Sequence, residues 1–259
     1  MKRWSWVLGA VVLALAIGVG LWFASTGDDD DSIADTVRFD FDDSPLTSTD
    51  GSKVEVSAEQ VSAGGGEVTS GPSYPGAGQA AVFPEFDGDR DGARAVLAVT
   101  ADDPEALSPG EAPFRFGADV LLSEPNQGSE FDNGNNVLQR GLFGMGAQFK
   151  LQIDKGVASC RVEGDAGGVT AKSSAPIETG TWQSVTCARD GDSVRVTVSP
   201  VDGDPGDPVT DEESGSIGAV DLPDDAPLSM GGKLDRNLSI EEESDQFNGS
   251  LDNVFVAIG

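Results

Sequence analysis

The chain has 259 residues, which is long enough for one large β domain and short for two, and 38% of them are hydrophobic. Its 45 acidic residues against 16 basic ones give a formal net charge of −29, and a field of this sign argues against a nucleic-acid partner. The chain contains no histidine, which removes Ser-His-Asp catalysis and His-ligated zinc or iron sites.

The first 27 residues begin with two charges and continue as an uncharged run from Trp4 to Gly27. The most apolar part, Val7 to Ala24, would span about 27 Å as a helix, close to the hydrocarbon thickness of a membrane. The run predicts a cleaved signal peptide or a retained single-pass membrane anchor. Aromatic residues at both ends favour retention, with everything after Asp28 outside the cell.

Residues 28–35 form a predicted acidic linker, which like-charge repulsion keeps solvated, and residues 36–259 form the predicted folded domain. Glycine-rich segments over 64–66 and 71–78 predict loops within the first part of that domain. The strands predicted around these loops are Thr36–Phe41, Lys53–Ser57 and Gln79–Phe83.

The next segment contains Asp87, Asp89, Asp91 and Gly92. Alternate carboxylates followed by glycine match the first half of a calcium loop, in which the carboxylates converge on one hard cation. Ala98 stands where an EF-hand would place its bidentate glutamate, so the segment is not an EF-hand. The three aspartates are a predicted calcium site, and the alternative is a plain acidic turn.

The sequence RAVLAVT, at residues 94–100, predicts a strand, and residues 101–113 predict a loop with one helical turn. A further strand is predicted over Phe114–Leu122, followed by a long polar loop over 123–135. Because long loops on a β sandwich commonly carry binding residues, Phe131 is a candidate sugar-stacking residue. The alternative for Phe131 is that it anchors the loop on the sandwich.

Between residues 136 and 199, apolar and polar residues alternate as in strands with one buried face. The Asp-Gly pair at residues 190–191 predicts a tight hairpin turn, which pairs residues 182–189 with residues 193–199. The apolar side chains of two such strands are Phe149, Leu151 and Ile153, and Val194, Val196 and Val198.

Both cysteines, Cys160 and Cys187, lie in predicted strands of this region. A disulfide between them would stabilise the fold by roughly 3.5 kcal/mol on the chain-entropy model. Two buried free thiols are the alternative. A location outside the cell is oxidising and therefore consistent with a disulfide.

The last part of the chain predicts two loops and two strands. Residues 200–216 are acidic and proline-rich and predict a solvated loop, and residues 233–246 predict a charged loop. A short strand is predicted over 227–231 and a final strand over Phe247–Ile258.

Eleven residues of the second half form a recognisable set: Cys160, Gly180, Thr181, Trp182, Cys187, Phe247, Gly249, Leu251, Asp252, Asn253 and Val254. This set resembles the laminin G-like members of the concanavalin A-like lectin/glucanase superfamily. The resemblance implies an all-β jelly-roll sandwich of two antiparallel sheets, with Cys160 as the partner of Cys187 and Trp182 as a core aromatic residue. It also implies binding of glycans or proteins, in some members with calcium.

These expectations describe an extracellular, non-catalytic module that binds a carbohydrate, with calcium as a candidate aid. The first alternative is a protein-interaction or surface-structural module with a cell-envelope protein as partner, which the sparse aromatic residues favour. The second is a glucanase-type hydrolase, since glycoside hydrolysis needs only two carboxyl groups. Glu85 and Glu130 begin the nearest matches to the family's E-x-D-x-x-E motif, and both lack the third glutamate.

Overall fold

The computed structural model describes residues 33–44, 52–85, 88–126, 128–131, 133–201 and 206–259. The predicted N-terminal anchor lies outside these residues, as does most of the acidic linker. Among the residues described, no helix is long and apolar enough to cross a membrane. The 3₁₀ turn Pro104–Leu107 confirms the helical turn predicted within residues 101–113.

The described residues form fifteen strands that build two antiparallel sheets. In chain order they are β1 (Val37–Phe39), β2 (Val56–Ala63), β3 (Thr69–Pro72), β4 (Gln79–Val82), β5 (Arg94–Ala101), β6 (Phe114–Leu122), β7 (Asn135–Arg140), β8 (Gln148–Asp154), β9 (Val157–Gly164), β10 (Gly167–Pro176), β11 (Trp182–Asp190), β12 (Ser193–Pro200), β13 (Val209–Ser214), β14 (Leu228–Met230) and β15 (Gly249–Ile258).

Sheet 1 has the strand order β13-β12-β11-β6-β15-β4-β3, with β1 also pairing with β15. Sheet 2 has the order β10-β9-β8-β7-β14-β5-β2. Strands distant in the chain are neighbours in both sheets, as in β6 beside β15. The all-β sandwich of two antiparallel sheets is therefore confirmed.

The core lies between the sheets and follows from the alternation of apolar residues. In β8, the side chains of Phe149, Leu151 and Ile153 are fully buried in the core. The Phe149 ring lies 5.0 Å from Phe116 and 5.5 Å from Phe114, centre to centre, so rings from both sheets meet there. Burying each such side chain stabilises the fold by about 1.5–3 kcal/mol.

The predicted disulfide is confirmed and joins the two sheets across this core. Cys160 lies in β9 of sheet 2 and Cys187 in β11 of sheet 1, with their Cα atoms 5.6 Å apart. Both residues are fully buried.

The strands predicted at 114–122, 182–189 and 193–199 agree with β6, β11 and β12 to within one residue. The predicted hairpin is also confirmed, since Asp190 pairs with Ser193 at its end. The second strand was placed too early, because β2 begins at Val56 and continues to Ala63.

Strands β3 and β13 lie partly or wholly in segments interpreted as loops, so that interpretation of those segments is wrong. The segment 200–216 contains β13, which pairs with β12 although its side chains are nearly all exposed. Because almost all of its side chains are exposed, β13 has no alternation of apolar and polar residues that the sequence could show. Its place in the sheet comes from pairing with β12. In β10, small buried residues, Ala171 and Ser173, replace the larger apolar residues that mark a strand.

Candidate functional site

A cavity of about 890 Å³ lies on the outer face of sheet 2. Its floor is built by side chains of β7 to β10, and its walls come from the segments 130–131, 142–143 and 241–243. The floor is polar because each of these strands turns its apolar side chains to the core and its polar ones outward. We call this feature the sheet 2 cavity.

Four side chains form a row across the floor of the sheet 2 cavity. Gln139 of β7 lies opposite Lys150 of β8, Lys150 opposite Arg161 of β9, and Arg161 opposite Thr170 of β10. With neighbouring strands about 4.8 Å apart, the row is roughly 14 Å long. It therefore offers hydrogen-bonding groups along a line that crosses the strands.

Lys150 is held in the floor by a buried ion-pair network. Asp245 Oδ2 lies 2.8 Å from Lys150 Nζ and 3.2 Å from Lys233 Nζ, and the three side chains are 5%, 11% and 17% exposed, respectively. Burial lowers the pKa of Lys150, and the charge and hydrogen bond of Asp245 oppose that change. The carboxylate thus keeps two ammonium groups in place under the cavity.

Two oxygen atoms beneath the floor lack hydrogen-bond partners among the described residues, Gln139 Oε1 and Asp245 Oδ1. The Gln139 amide is fixed by donating its Nε2 hydrogen to the carbonyl of Gly141, at 2.6 Å. Since nearly all buried polar atoms in folded proteins are hydrogen-bonded, these acceptors mark positions for a donor from water or a ligand.

Phe143 is the most exposed aromatic side chain at the sheet 2 cavity, at 82%. It lies in the β7–β8 connection, where Gly141, Gly144 and Gly146 have positive φ angles of 78°, 85° and 86°. The Arg161 guanidinium lies 5.7 Å from the centre of its ring, and Glu163 forms an ion pair with Arg161. The sequence interpretation missed Phe143, although an aromatic residue between glycines in a hairpin connection was a usable signal.

Phe131, the candidate stacking residue, does line the sheet 2 cavity and is half-buried. Glu130 also lines it, whereas Glu85 lies in the segment that follows β4. The structure therefore brings Glu130 and Phe131 to the wall of one cavity.

The predicted calcium loop is described only in part, because Asp87 lies outside the described residues. Asp89 Oδ1 accepts a hydrogen bond from the Asp91 amide at 2.9 Å, and the carbonyl of Asp89 accepts one from Gly92 at 2.9 Å. These bonds close an acidic turn. Within the described ranges, no three acidic, cysteine or histidine side chains are grouped as metal ligands. Calcium binding stays a prediction.

The opposite face of the sandwich, the outer face of sheet 1, carries a second polar cluster. Trp182, expected in the core, lies here half-buried against Tyr74, since the core-facing positions of β11 include Val185 and Cys187. Asp119 of β6 and Asp252 of β15 lie directly opposite each other, and both are buried. A like-charged pair in this position is destabilising when both groups are ionised.

The pH dependence of the free energy of unfolding should show the raised pKa of the Asp252 carboxyl group. Burial raises its pKa to about 6, while hydrogen bonds from Ser73 and the Asn253 amide lower it, and the charges of Asp119 and Asp42 raise it further. The folded state thus holds a proton that the unfolded state, with a pKa of about 3.9, releases. Stability contributed by this proton is lost as the pH rises from about 4 to about 6.

We expect Asp252→Asn, which does not ionise, to gain stability relative to the wild type over that window. Urea unfolding at pH 4, 5, 6 and 7 measures the difference. A difference that is the same at all four pH values would contradict the assignment.

Comparison with known proteins agrees with this architecture. Residues 137–257 match the sequence model of the family described as Laminin G domain. No curated protein matches the chain.

Several solved structures are similar to this chain. Domain 4 of AbnA, a GH43 extracellular arabinanase from Geobacillus stearothermophilus in complex with arabinotriose, is 15% identical with a TM-score of 0.59, over 88% of this chain and 93% of that one. The binding domain of Paraclostridial Mosquitocidal Protein 1 is 12% identical with a TM-score of 0.55, over 88% and 49%. The LG1–3 region of the laminin alpha2 chain is 16% identical with a TM-score of 0.43, over 57% and 27%. The chain thus spans less than half the length of the last two.

Proposed function

We propose that this chain is an extracellular, non-catalytic module of the laminin G-like kind, and that it binds carbohydrate in the sheet 2 cavity. The observation that carries the proposal is the row Gln139, Lys150, Arg161 and Thr170 with the exposed ring of Phe143 at its side. Sugars present hydroxyl groups at their edges and apolar C–H groups on their faces, and the row and the ring match these two surfaces.

The fixed geometry of the floor supports the same ligand class. Lys150 is held by Asp245, Arg161 by Glu163, and Gln139 by Gly141, so little side-chain entropy is lost when a ligand binds. A cavity of about 890 Å³ lies within the range of roughly 300–1,000 Å³ that is usual for ligand pockets. The arabinotriose bound to the AbnA domain supports a short oligosaccharide as the ligand class.

The location outside the cell is supported by the disulfide, because such bonds persist in oxidising compartments. The predicted N-terminal signal segment, retained as an anchor or cleaved, would bring the domain there. The predicted calcium loop of Asp87, Asp89 and Asp91 is a candidate aid to binding, which chelator added to the binding assay tests.

Replacing Phe143 by alanine should weaken oligosaccharide binding about 30-fold, since truncating an anchoring aromatic residue costs roughly 2 kcal/mol. The free energy of unfolding should change by less than about 0.5 kcal/mol because the side chain is mostly exposed. A glycan array with the full chain first selects an oligosaccharide, and calorimetric titration then measures its Kd.

The matched control is Phe143→Tyr, which keeps the ring and should keep the affinity within about threefold, or roughly 0.6 kcal/mol. Equal affinity of Phe143→Ala and the wild type would place the ligand elsewhere. A silent array together with capture of one identified cell-envelope protein would replace the carbohydrate by a protein partner. Release of reducing sugar that is lost in Glu130→Gln would show a hydrolase instead.

A further inference from the structure

Aromatic residues that the core does not use meet on the outer face of sheet 1. The chain has one tyrosine, and Trp182 is its single tryptophan after residue 22. The rings of Tyr74 and Trp182 contact edge to face, with centres 5.8 Å apart. Phe255 of β15 lies on the same face, with the Arg115 guanidinium 5.4 Å from its centre. Half-buried rings on an outer sheet face are commonly part of an interaction site.

A cavity of about 340 Å³ adjoins these rings, and we call it the sheet 1 pocket. Tyr74 and Phe255 contribute to its lining, and its remaining polar lining consists of Arg38, Asp119, Ser184, Ser199 and Asn253. The sheet 1 pocket and the sheet 2 cavity therefore open on opposite faces of the sandwich.

Four of the polar side chains that line the sheet 1 pocket, those of Arg38, Tyr74, Asp119 and Asn253, are fixed by one another. Asn253 donates from Nδ2 to Asp119 Oδ2 at 2.9 Å and to Tyr74 Oη at 3.2 Å. Its Oδ1 accepts a hydrogen bond from Arg38 at 2.7 Å, and Tyr74 Oη donates to Asp119 Oδ2 at 3.1 Å. The donors and acceptors are thus held in position before any ligand arrives.

A local irregularity of β15 puts Asn253 at the centre of this network. The pairing of β15 with β6 shifts between Asp252 and Phe255, and Asn253 has a positive φ of 48°. Irregularities of this kind re-aim a side chain and are frequent beside binding sites. Here the Asn253 amide is the group that links β1, the β3–β4 connection and β6.

The lining decides the ligand class. Arg38 makes a bare cation unfavourable and Asp119 makes an anion unfavourable, whereas serine, tyrosine and asparagine groups both donate and accept hydrogen bonds. The volume is near the lower end of the range for ligand pockets, which suits one sugar ring. We infer that the sheet 1 pocket is a second binding site, which takes a single neutral, hydroxylated sugar ring beside Tyr74. The domain then presents two sites that face in opposite directions and can bind two carbohydrate chains at once, which raises avidity.

The test is to titrate the full chain separately with glucose, galactose, arabinose and N-acetylglucosamine and to monitor each titration by tryptophan fluorescence. At least one sugar should give a saturable change, because Trp182 contacts Tyr74 at the sheet 1 pocket. The same change should be absent in Trp182→Phe, which leaves the tryptophans at positions 4, 6 and 22 as background.

Filling the sheet 1 pocket should abolish the response. Ser184→Leu places a larger side chain in the pocket from the middle of β11, and Ser199→Val does so from β12, so one variant serves if the other folds poorly. Each variant should raise the Kd for the sugar at least tenfold. The matched control is Thr197→Leu, which changes a neighbouring position of β12 outside the pocket lining and should leave the Kd within twofold.

Three results would overturn the inference: no saturable change with any of the four sugars, a change that persists in Trp182→Phe, or wild-type affinity in a folded pocket-filling variant. Oligosaccharide binding that depends on Phe143 is measured separately, so a failure at one face is distinguishable from a failure at the other.

Discussion

Replacing Asp245 by asparagine should lower the free energy of unfolding by about 3–5 kcal/mol, the cost of leaving buried charges without their partner. The asparagine keeps the size of the side chain and tolerates the positive φ of 47° at this position. What it removes is the negative charge between Lys150 and Lys233, two side chains that are at most 17% exposed. Urea unfolding of the full chain measures the loss.

The pH dependence of this variant separates electrostatics from packing. Burial already lowers the pKa of Lys150, and without Asp245 nothing of equal strength opposes the change. The unfolded state then binds more protons than the folded state up to the ordinary lysine pKa, so stability rises with pH in that window. We expect Asp245→Asn to recover part of its lost stability as the pH rises toward the ordinary lysine pKa of about 10.4, and the wild type to recover less.

The matched control is Glu242→Gln, which breaks the ion pair of Glu242 with Arg90. Their side chains are 55% and 65% exposed, so the loss should stay below about 1 kcal/mol. If Asp245→Asn costs no more than Glu242→Gln, the network under the sheet 2 cavity contributes nothing beyond a surface ion pair.

Much of the fold could be predicted because its signals are local. The alternation of Phe149, Leu151 and Ile153 with polar residues predicts which side of β8 faces the core. The Asp-Gly pair at 190–191 predicts where the chain reverses direction. Strand β13 could not be predicted, because its exposed side chains show no period and its hydrogen bonds come from β12.

The candidate sites depend on relations that no local pattern contains. Lys150 and Asp245 are 95 positions apart and meet only because the segment after β14 returns over sheet 2. The row across the floor needs the registers of three strand pairs, and a slip of one residue would turn its side chains to the core. Trp182 is a different case, because the alternation in β11 already puts it on the face opposite Val185 and Cys187, and only the family resemblance implied a core position.

Replacing both Cys160 and Cys187 by alanine should also cost several kcal/mol, with roughly 3.5 kcal/mol expected from the entropy of the unfolded chain alone. The bond joins β9 to β11 across the core, so it limits how far the two sheets separate when the chain unfolds. Both sulfur positions are fully buried, and the alanines leave a small cavity that adds to the loss.

Reductant provides the matched test of this bond. Wild-type chain unfolded in urea with reductant should show a midpoint lowered almost to that of the double variant, whose own midpoint should not respond to reductant. Thiol titration of the unfolded, unreduced wild type should count no free thiol. If it counts two, or if reductant leaves the wild-type midpoint unchanged, the sandwich is held by packing and strand pairing alone. An oxidising compartment, and with it a location outside the cell, then has no structural support.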